Sequence, residues 1–223
     1  MIVKPKVRGF ICTTAHPVGC EAVVKSEIEY VKSRKAEDNG FKPKKVLVLG
    51  SSMGYGLASR IALAYSCGAA TLGVMFDRPA SGSKTGTSGW YNTKAFEKFA
   101  QADGLYAKTV NGDAYSDECK KEVIDIIKAD LGKVDAVVYS LAAPRRTVGD
   151  VTYSSVLKTT GEPYTNKTID LRNNTVSEVT IEPATEEEIA ATVKVMGGED
   201  WAAWIDALKA ADAIEDNAVT VAY

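Results

Sequence analysis

The sequence predicts an α/β fold, a parallel sheet with helices on both faces, interrupted by an inserted β-hairpin region. Three observations predict it. Residues 46–49 and 136–140 are short apolar runs, rich in valine, of the kind that forms strands buried on both faces. The first run ends in a turn with glycines at 50, 54 and 56 and passes directly into apolar residues at helical spacing. Strand-like and helix-like stretches then alternate for about a hundred residues, and consecutive βα units of this kind close into a parallel sheet with right-handed crossovers.

Each element has its own signal. After the glycines, Leu57, Ile61, Leu63, Ala64 and Cys67 recur on one side of a helix until Gly68 stops the pattern, and residues 69–76 read as the next strand. Residues 96–102 read as helix and 106–110 as strand. Residues 116–131 are amphipathic, with Val123, Ile126, Ile127 and Leu131 on one side. The strand over 136–140 runs into small residues and Pro144. Residues 145–185 break the rhythm and hold a hairpin, 168–171 with 175–181, around Asn173 and Asn174. Helices are expected over 186–196 and 199–211, separated by Gly197 and Gly198, and the last residues, AVTVAY, read as strand.

A chain of 223 residues, 45% hydrophobic and 25% charged, can bury one substantial core and carry an inserted subdomain. Its 27 basic and 29 acidic residues give a formal charge of -2, which excludes binding to nucleic acid or an anionic membrane driven by net electrostatics. Cys12, Cys20, Cys67 and Cys119 form no C-x-x-C pair, and with His16 as the single histidine they make no zinc spacing, so no metal is expected. No run reaches bilayer length and the N-terminus carries no apolar signal core, so a reducing, cytoplasmic setting is expected.

At the end of a parallel strand the following helix presents unpaired N–H groups and the positive end of its dipole, a place for a pyrophosphate. Gly50 would turn the chain out of the strand. Gly54 and Gly56 would leave room for the phosphates and for helix packing, with Ser51 and Ser52 as hydroxyl donors beside Met53 and Tyr55. G-x-x-x-G-x-G in this position resembles the turn of short-chain dehydrogenases rather than the standard dinucleotide fingerprint; a tight turn with no ligand is the competing reading. Phe76 and Asp77 end the second strand, where a carboxylate would accept from the adenosine ribose and repel a 2′-phosphate, favouring NADH. Arg78 beside it argues the other way, and Asp77 also reads as an ordinary loop acid. Asp113 and Ala114 follow the third strand as an adenine contact, or as a turn or helix cap. Leu141, Ala142 and Ala143 follow the VVYS strand, where small residues at a central strand's end let a nicotinamide ring pass close to the backbone.

Taken together GSSMGYGLASR, GTSGWYN, GDAYSDE, VYSLAAPRR and VMGGEDW, with AHPVGC near the start, resemble the trans-2-enoyl-CoA reductase family, which includes the FabV-type enoyl-ACP reductases. The resemblance covers essentially the whole chain. It implies an enlarged Rossmann fold that reduces the 2,3 double bond of an enoyl-CoA or enoyl-ACP thioester with NADH in fatty acid synthesis. It also implies a cofactor loop over 50–55, a ribose site at Phe76 and Asp77, an adenine site at Asp113 and Ala114, and a nicotinamide-side loop at Leu141 and Ala142. His16 reads as structural more readily than catalytic, and Trp201 with Trp204 as packing more readily than as an acyl-chain slot; Trp90 and Tyr91 are the other candidates for such a slot.

Protonating the product of hydride addition calls for a tyrosine with a lysine beside it. The resemblance implies Tyr-x8-Lys, and short-chain dehydrogenases use Tyr-x3-Lys. None of the ten tyrosines has a lysine four or nine positions later, so no catalytic residue is assigned. Family members continue past this point, and Tyr223 matches the first tyrosine of the region that follows, a substrate-side candidate. The chain is therefore expected to be an N-terminal portion of a reductase, one incomplete domain with an extension over 1–43, a dinucleotide-binding core over 44–144, an insertion over 145–185, and helices with a final strand over 186–223. A C-terminal fragment completing the fold is the expected partner. The alternative is a non-catalytic dinucleotide-binding module or a subunit of a split enzyme.

Overall fold

The structure is a computed structural model that describes residues 4–8, 11–34 and 40–223. The elements run β1 (Val7–Arg8), β2 (Ile11–Cys12), α1 (Pro17–Ser33), β3 (Lys45–Leu49), α2 (Gly54–Cys67), β4 (Ala70–Met75), α3 (Ser88–Ala102), β5 (Ala107–Asn111) and α4 (Asp117–Ile126). After α4 come a π-helical turn (Ile127–Leu131), β6 (Val134–Tyr139), β7 (Arg145–Val148), β8 (Val151–Ser154), β9 (Tyr164–Asp170), β10 (Thr175–Ile181), α5 (Glu186–Met196), α6 (Glu199–Ala210) and β11 (Ile214–Ala222). They form two compact units. The larger holds Ala15–Leu141 and Ala203–Tyr223, the smaller Met1–Thr14 and Ala142–Ala202.

The larger unit is built on a five-stranded, all-parallel sheet in the order β11-β6-β3-β4-β5. Numbered by order of appearance among themselves, these strands run 5-4-1-2-3, the doubly wound Rossmann arrangement that the alternating pattern implied. Val46, Leu47, Val48 and Leu49 are all fully buried, so side chains on both faces of β3 are covered, as a continuous apolar run requires. The start of β3 is pinned by Asp135, whose carboxylate accepts from the backbone N–H groups of Lys44 and Lys45 at 2.8 and 2.9 Å. Helix α1 packs on α2 and α3, with Val24 and Ile28 joining Leu57, Ile61, Ala95 and Phe96 in one buried cluster. The stretch expected as an extension is thus divided: α1 belongs to the core because its apolar stripe has no other cover.

A buried cation crosses this unit. The Arg60 guanidinium, from α2, donates to Thr71 Oγ1 (3.2 Å), Thr109 Oγ1 (2.8 Å) and the Lys108 carbonyl (2.7 Å), and it lies 4.6 Å from the centre of the Phe96 ring. Burial lowers its pKa to about 10. It reaches β5 by passing over Gly73 of β4, where an added methyl would stand 2.5 Å from Nη1 and would overlap the Ser51 hydroxyl.

The smaller unit holds the antiparallel pair β1-β2, and over residues 145–185 two hairpins, β7-β8 and β9-β10, stand where one was expected. The turn at Asn173 and Asn174 is where the pattern put it, but β9 begins four residues earlier, at Tyr164. Helix α5 opens with a reciprocal cap: Thr185 Oγ1 accepts from the Glu188 N–H, and Glu188 accepts from the Thr185 N–H. It packs on β7 and β8, and buried Arg146 of β7 donates to the Lys194 carbonyl at 2.8 Å. That packing is why the excursion extends to Ala202 rather than ending at 185.

Gly73→Ala is expected to lower stability by about 1–3 kcal/mol, because neither Ser51 nor the guanidinium can retreat from a buried methyl. In a chain of this size that is a fall of roughly 2–4 °C in Tm per kcal/mol. A thermal melt that superimposes on the wild type would show that Arg60 does not fill the space over β4.

Candidate functional site

The parallel register brings four chain segments to one edge of the sheet. Leu49 pairs with Val74 and with Tyr139, and Met75 pairs with Asn111, so the turns after β3, β4, β5 and β6 emerge side by side. Chain order reverses between β3 and β6, and an open α/β sheet has its crevice at such a point.

Gly50 stands at this crevice with φ of +78°, and an added methyl there would overlap the Ser140 carbonyl oxygen and stand 3.0 Å from Leu141. A methyl at Gly56 would overlap the Gly50 carbonyl. These two glycines let the start of α2 come down onto the strand ends. Gly54, with φ of +54°, is different: a methyl there meets nothing within 4 Å. Open space therefore lies beside the first turn of α2, whose N-cap residue, Met53, makes no side-chain cap and whose first turn carries no acidic residue. First-turn N–H groups have no intrahelical partner, so this turn is left able to hold an anion.

Ser51 does not supply the hydroxyl donor that the sequence suggested. It is fully buried, and its N–H and hydroxyl both go to the Val74 carbonyl, at 2.9 and 3.1 Å. It fastens the turn to β4 and leaves donation to the backbone further along. Helix α3 braces the same turn, since Asn92 donates to the Ser52 carbonyl at 3.3 Å and Ser88 Oγ donates to Met53 Sδ at 3.3 Å. Tyr55 is exposed, and its ring stacks on that of Tyr223, 5.1 Å between centres and 17° between planes; the Tyr223 hydroxyl is 3.1 Å from Ser59 Oγ.

After β4, Phe76 is exposed and Asp77 is held at both backbone groups by Asn111 of β5. The Asp77 carboxylate accepts from Thr87 Oγ1 at 2.7 Å. After β5, Asp113 Oδ1 accepts from the Tyr115 N–H at 3.0 Å, while Ser116 caps α4, so the turn and cap readings apply to two neighbours. The Ala114 carbonyl accepts from Trp204 Nε1 at 3.0 Å and from Lys120 Nζ at 3.2 Å. Trp204 is fully buried and packs in the core. Tyr91 accepts from the Gly86 N–H at 2.9 Å, and a lysine, Lys94, lies over Trp90, so both aromatics are engaged within α3 and the loop before it. His16 is structural: its Nδ1 accepts from the Gly19 N–H at 3.0 Å and caps α1. After β6, Leu141 closes the larger unit beside Gly50, and Ala142 is exposed. Among the described residues no group of three or more potential metal ligands is assembled, and no helix is long and apolar enough to cross a membrane.

A doubly wound parallel sheet whose first βα turn is glycine-lined and uncapped at its switch point defines a dinucleotide-binding protein of the Rossmann class. The model of the NAD(P)H binding domain of trans-2-enoyl-CoA reductase matches residues 2–82, and the model of the catalytic region of the same enzyme matches residues 84–223. The chain belongs to the trans-2-enoyl-CoA reductase family. It is 60% identical over its whole length to the trans-2-enoyl-CoA reductase [NADH] of Ruminiclostridium cellulolyticum and 58% identical to the enoyl-[acyl-carrier-protein] reductase [NADH] of Serratia proteamaculans, covering 56% of each. It superposes along its full length on the Treponema denticola trans-2-enoyl-CoA reductase in complex with NAD, with a TM-score of 0.94 at 50% identity, covering 57% of that chain. The chain thus spans about half the length of the curated relatives it matches.

Exchanging single glycines separates the two roles of the turn. Gly50→Ala is expected to lose most of its cooperative folding in urea, since overlap with Ser140 adds to a positive φ. Gly54→Ala is expected to cost only about 1–2 kcal/mol of left-handed strain. Equal losses would mean that the space beside Gly54 is filled.

Proposed function

We propose that this chain forms the NADH-binding part of a reductase that saturates the 2,3 double bond of a trans-2-enoyl thioester, carried on CoA or acyl-carrier protein, in fatty acid synthesis. The observation that carries the reading is the uncapped first turn of α2 beside open space at Gly54, in a chain 60% identical along its length to a reductase named for NADH. The residues fit the cofactor: the backbone of Ser52, Met53, Gly54 and Tyr55 faces the pyrophosphate, with Gly50 and Ser51 setting the turn. Phe76 and Asp77 meet the adenosine ribose, Asp113 and Ala114 the adenine, and Leu141 and Ala142 the nicotinamide side. Bound NADH supplies the hydride. A cytoplasmic, reducing setting suits its four free cysteines.

Hydride addition at the β-carbon leaves negative charge on the thioester oxygen, which a phenol must stabilise until the α-carbon is protonated. Tyr223, stacked on Tyr55 and 3.1 Å from Ser59 Oγ, is the substrate-side candidate in this scheme. No tyrosine here has the lysine partner, so the Tyr-x8-Lys pair and much of the acyl pocket come from outside these residues, as more of the same polypeptide or as a partner fragment. The same observation favours a second reading, a dinucleotide-binding module or split-enzyme subunit without chemistry of its own.

Gly54→Ala, folded by circular dichroism, is expected to bind NADH at least about tenfold more weakly in calorimetry, because the methyl projects into the space beside the phosphate-holding turn. Unchanged affinity would remove this loop from the cofactor site. Loss of one oxyanion partner typically costs roughly 100- to 1,000-fold, and several are missing together. With crotonyl-CoA, the 223-residue chain is therefore expected to oxidise NADH at a rate far below that of the full-length Ruminiclostridium cellulolyticum relative assayed beside it. Comparable turnover would assign the proton donor to a residue present here.

A further inference from the structure

We propose that Thr87 and Gly89 set the dinucleotide preference of this site by fixing the Asp77 carboxylate in one orientation, so that NADPH, with its 2′-phosphate, is refused. The inference rests on the reading of the chain as NADH-binding and adds residues outside the strand-end loops to it.

Asp77 is unusually constrained. Asn111 accepts from its N–H at 2.9 Å and donates to its carbonyl at 2.8 Å, so the main chain cannot swing and only the side-chain torsions remain. Those are governed by the segment Gly86-Thr87-Ser88-Gly89. Thr87 Oγ1 donates to Asp77 Oδ1 at 2.7 Å, and the Thr87 N–H donates to the Arg78 carbonyl at 3.0 Å, which closes the loop from 78 to 87 onto the end of β4. Thr87 is the N-cap residue of α3, yet its hydroxyl makes no cap bond. Its short bond goes to Asp77, with the Arg78 carbonyl as a longer second acceptor at 3.4 Å. At Gly89, in the first turn of α3, an added methyl would stand 2.5 and 2.6 Å from the two carboxylate oxygens, so the carboxylate lies directly against the bare α-carbon. Helix α3 has no acidic residue in its own first turn, and the positive end of its dipole draws the Asp77 charge into this place.

A carboxylate held by one charge-assisted bond keeps its other lone pairs for ribose hydroxyls and keeps its charge where a 2′-phosphate would sit. Released, it would turn away, and Arg78, the next residue, would offer a guanidinium to the phosphate. Preference would then fall without any change in a cofactor-contacting residue.

The test is calorimetric titration of NADH and NADPH against the wild-type chain, Thr87→Val, Thr87→Ser, Gly89→Ala and Asp77→Ala, each checked for folding by circular dichroism. The wild type is expected to prefer NADH, and Asp77→Ala to lose that preference. Thr87→Val, which keeps the shape and removes the donor, is expected to reduce the ratio of NADH to NADPH affinity by about tenfold. Thr87→Ser should restore it, and the Thr87→Val change should add nothing in an Asp77→Ala background. Gly89→Ala should follow Thr87→Val. A purely structural role would weaken both cofactors together and leave the ratio alone; a wild-type ratio in Thr87→Val overturns the proposal while leaving the NADH reading standing. A wild-type chain that binds neither dinucleotide overturns the NADH reading itself, and the proposal with it.

Discussion

The descent of the α2 N-terminus onto the ends of β3 and β6, which succeeds only because positions 50 and 56 carry no side chain, determines where the rest of the site can stand. The Gly50 α-carbon faces the Ser140 carbonyl and the Gly56 α-carbon faces the Gly50 carbonyl, so three segments from different parts of the sequence share one tight backbone contact. Register does the remainder. With Leu49 opposite both Val74 and Tyr139, the turns beyond these strands have no freedom to emerge at different heights. The turn that opens α2 is thus a consequence of sheet geometry, and the polar groups it leaves unpaired are backbone groups.

The same helix is secured at depth by Arg60. Removing a guanidinium from water is costly, and a buried cation is tolerated only when its N–H groups are answered. Here threonine hydroxyls, backbone carbonyls and the face of Phe96 answer them, and burial pulls the pKa down to about 10 against the opposing pull of the Glu97 charge. Gly73 is the concession that lets the side chain through. Ser51 borders the same gap, so the packing of the guanidinium and the anchoring of the turn to Val74 are parts of one arrangement.

Much of this was legible in the sequence. Strands buried on both faces announce themselves as unbroken apolar runs, and β3, β4 and β6 lie within a residue or two of where those runs put them. What was illegible has physical causes. The first two turns of α3 were missed because Gly89, Trp90, Tyr91 and Asn92 show no apolar period; Tyr91, Asn92 and Thr87 are instead tied by polar bonds to Gly86, Ser52 and Asp77, which leave no hydrophobic pattern. The β7-β8 hairpin escaped because its strands, RRTV and VTYS, are only four residues each and largely exposed, too short for an alternation to stand out. Ser51 was misread as a ligand donor since a serine in a glycine turn looks the same whether its hydroxyl faces out or, as here, into a strand carbonyl. The resemblance carried by GTSGWYN located that segment in a family without saying what it does; its fit around Asp77 gives it a physical task.

The helices also show how a chain with a net charge of only -2 can reserve a place for an anion. Every helix N-terminus exposes unpaired N–H groups and partial positive charge. In α4, α5 and α6 the first turn contains its own carboxylates: Asp117 and Glu118, Glu186 to Glu188, and Glu199 and Asp200. Helix α1 is capped by the His16 imidazole, and α3 receives Asp77 from the end of β4. Helix α2 has neither a capping side chain nor an acidic first turn. Among the described helices four N-termini hold a carboxylate and α1 an imidazole acceptor, which leaves α2, at the switch point of the sheet, as the one where an external anion gains most. Selectivity for place needs no cluster of lysines, and a carboxylate such as Asp77 can stand nearby, held by Thr87, without a basic surround that would mask its charge.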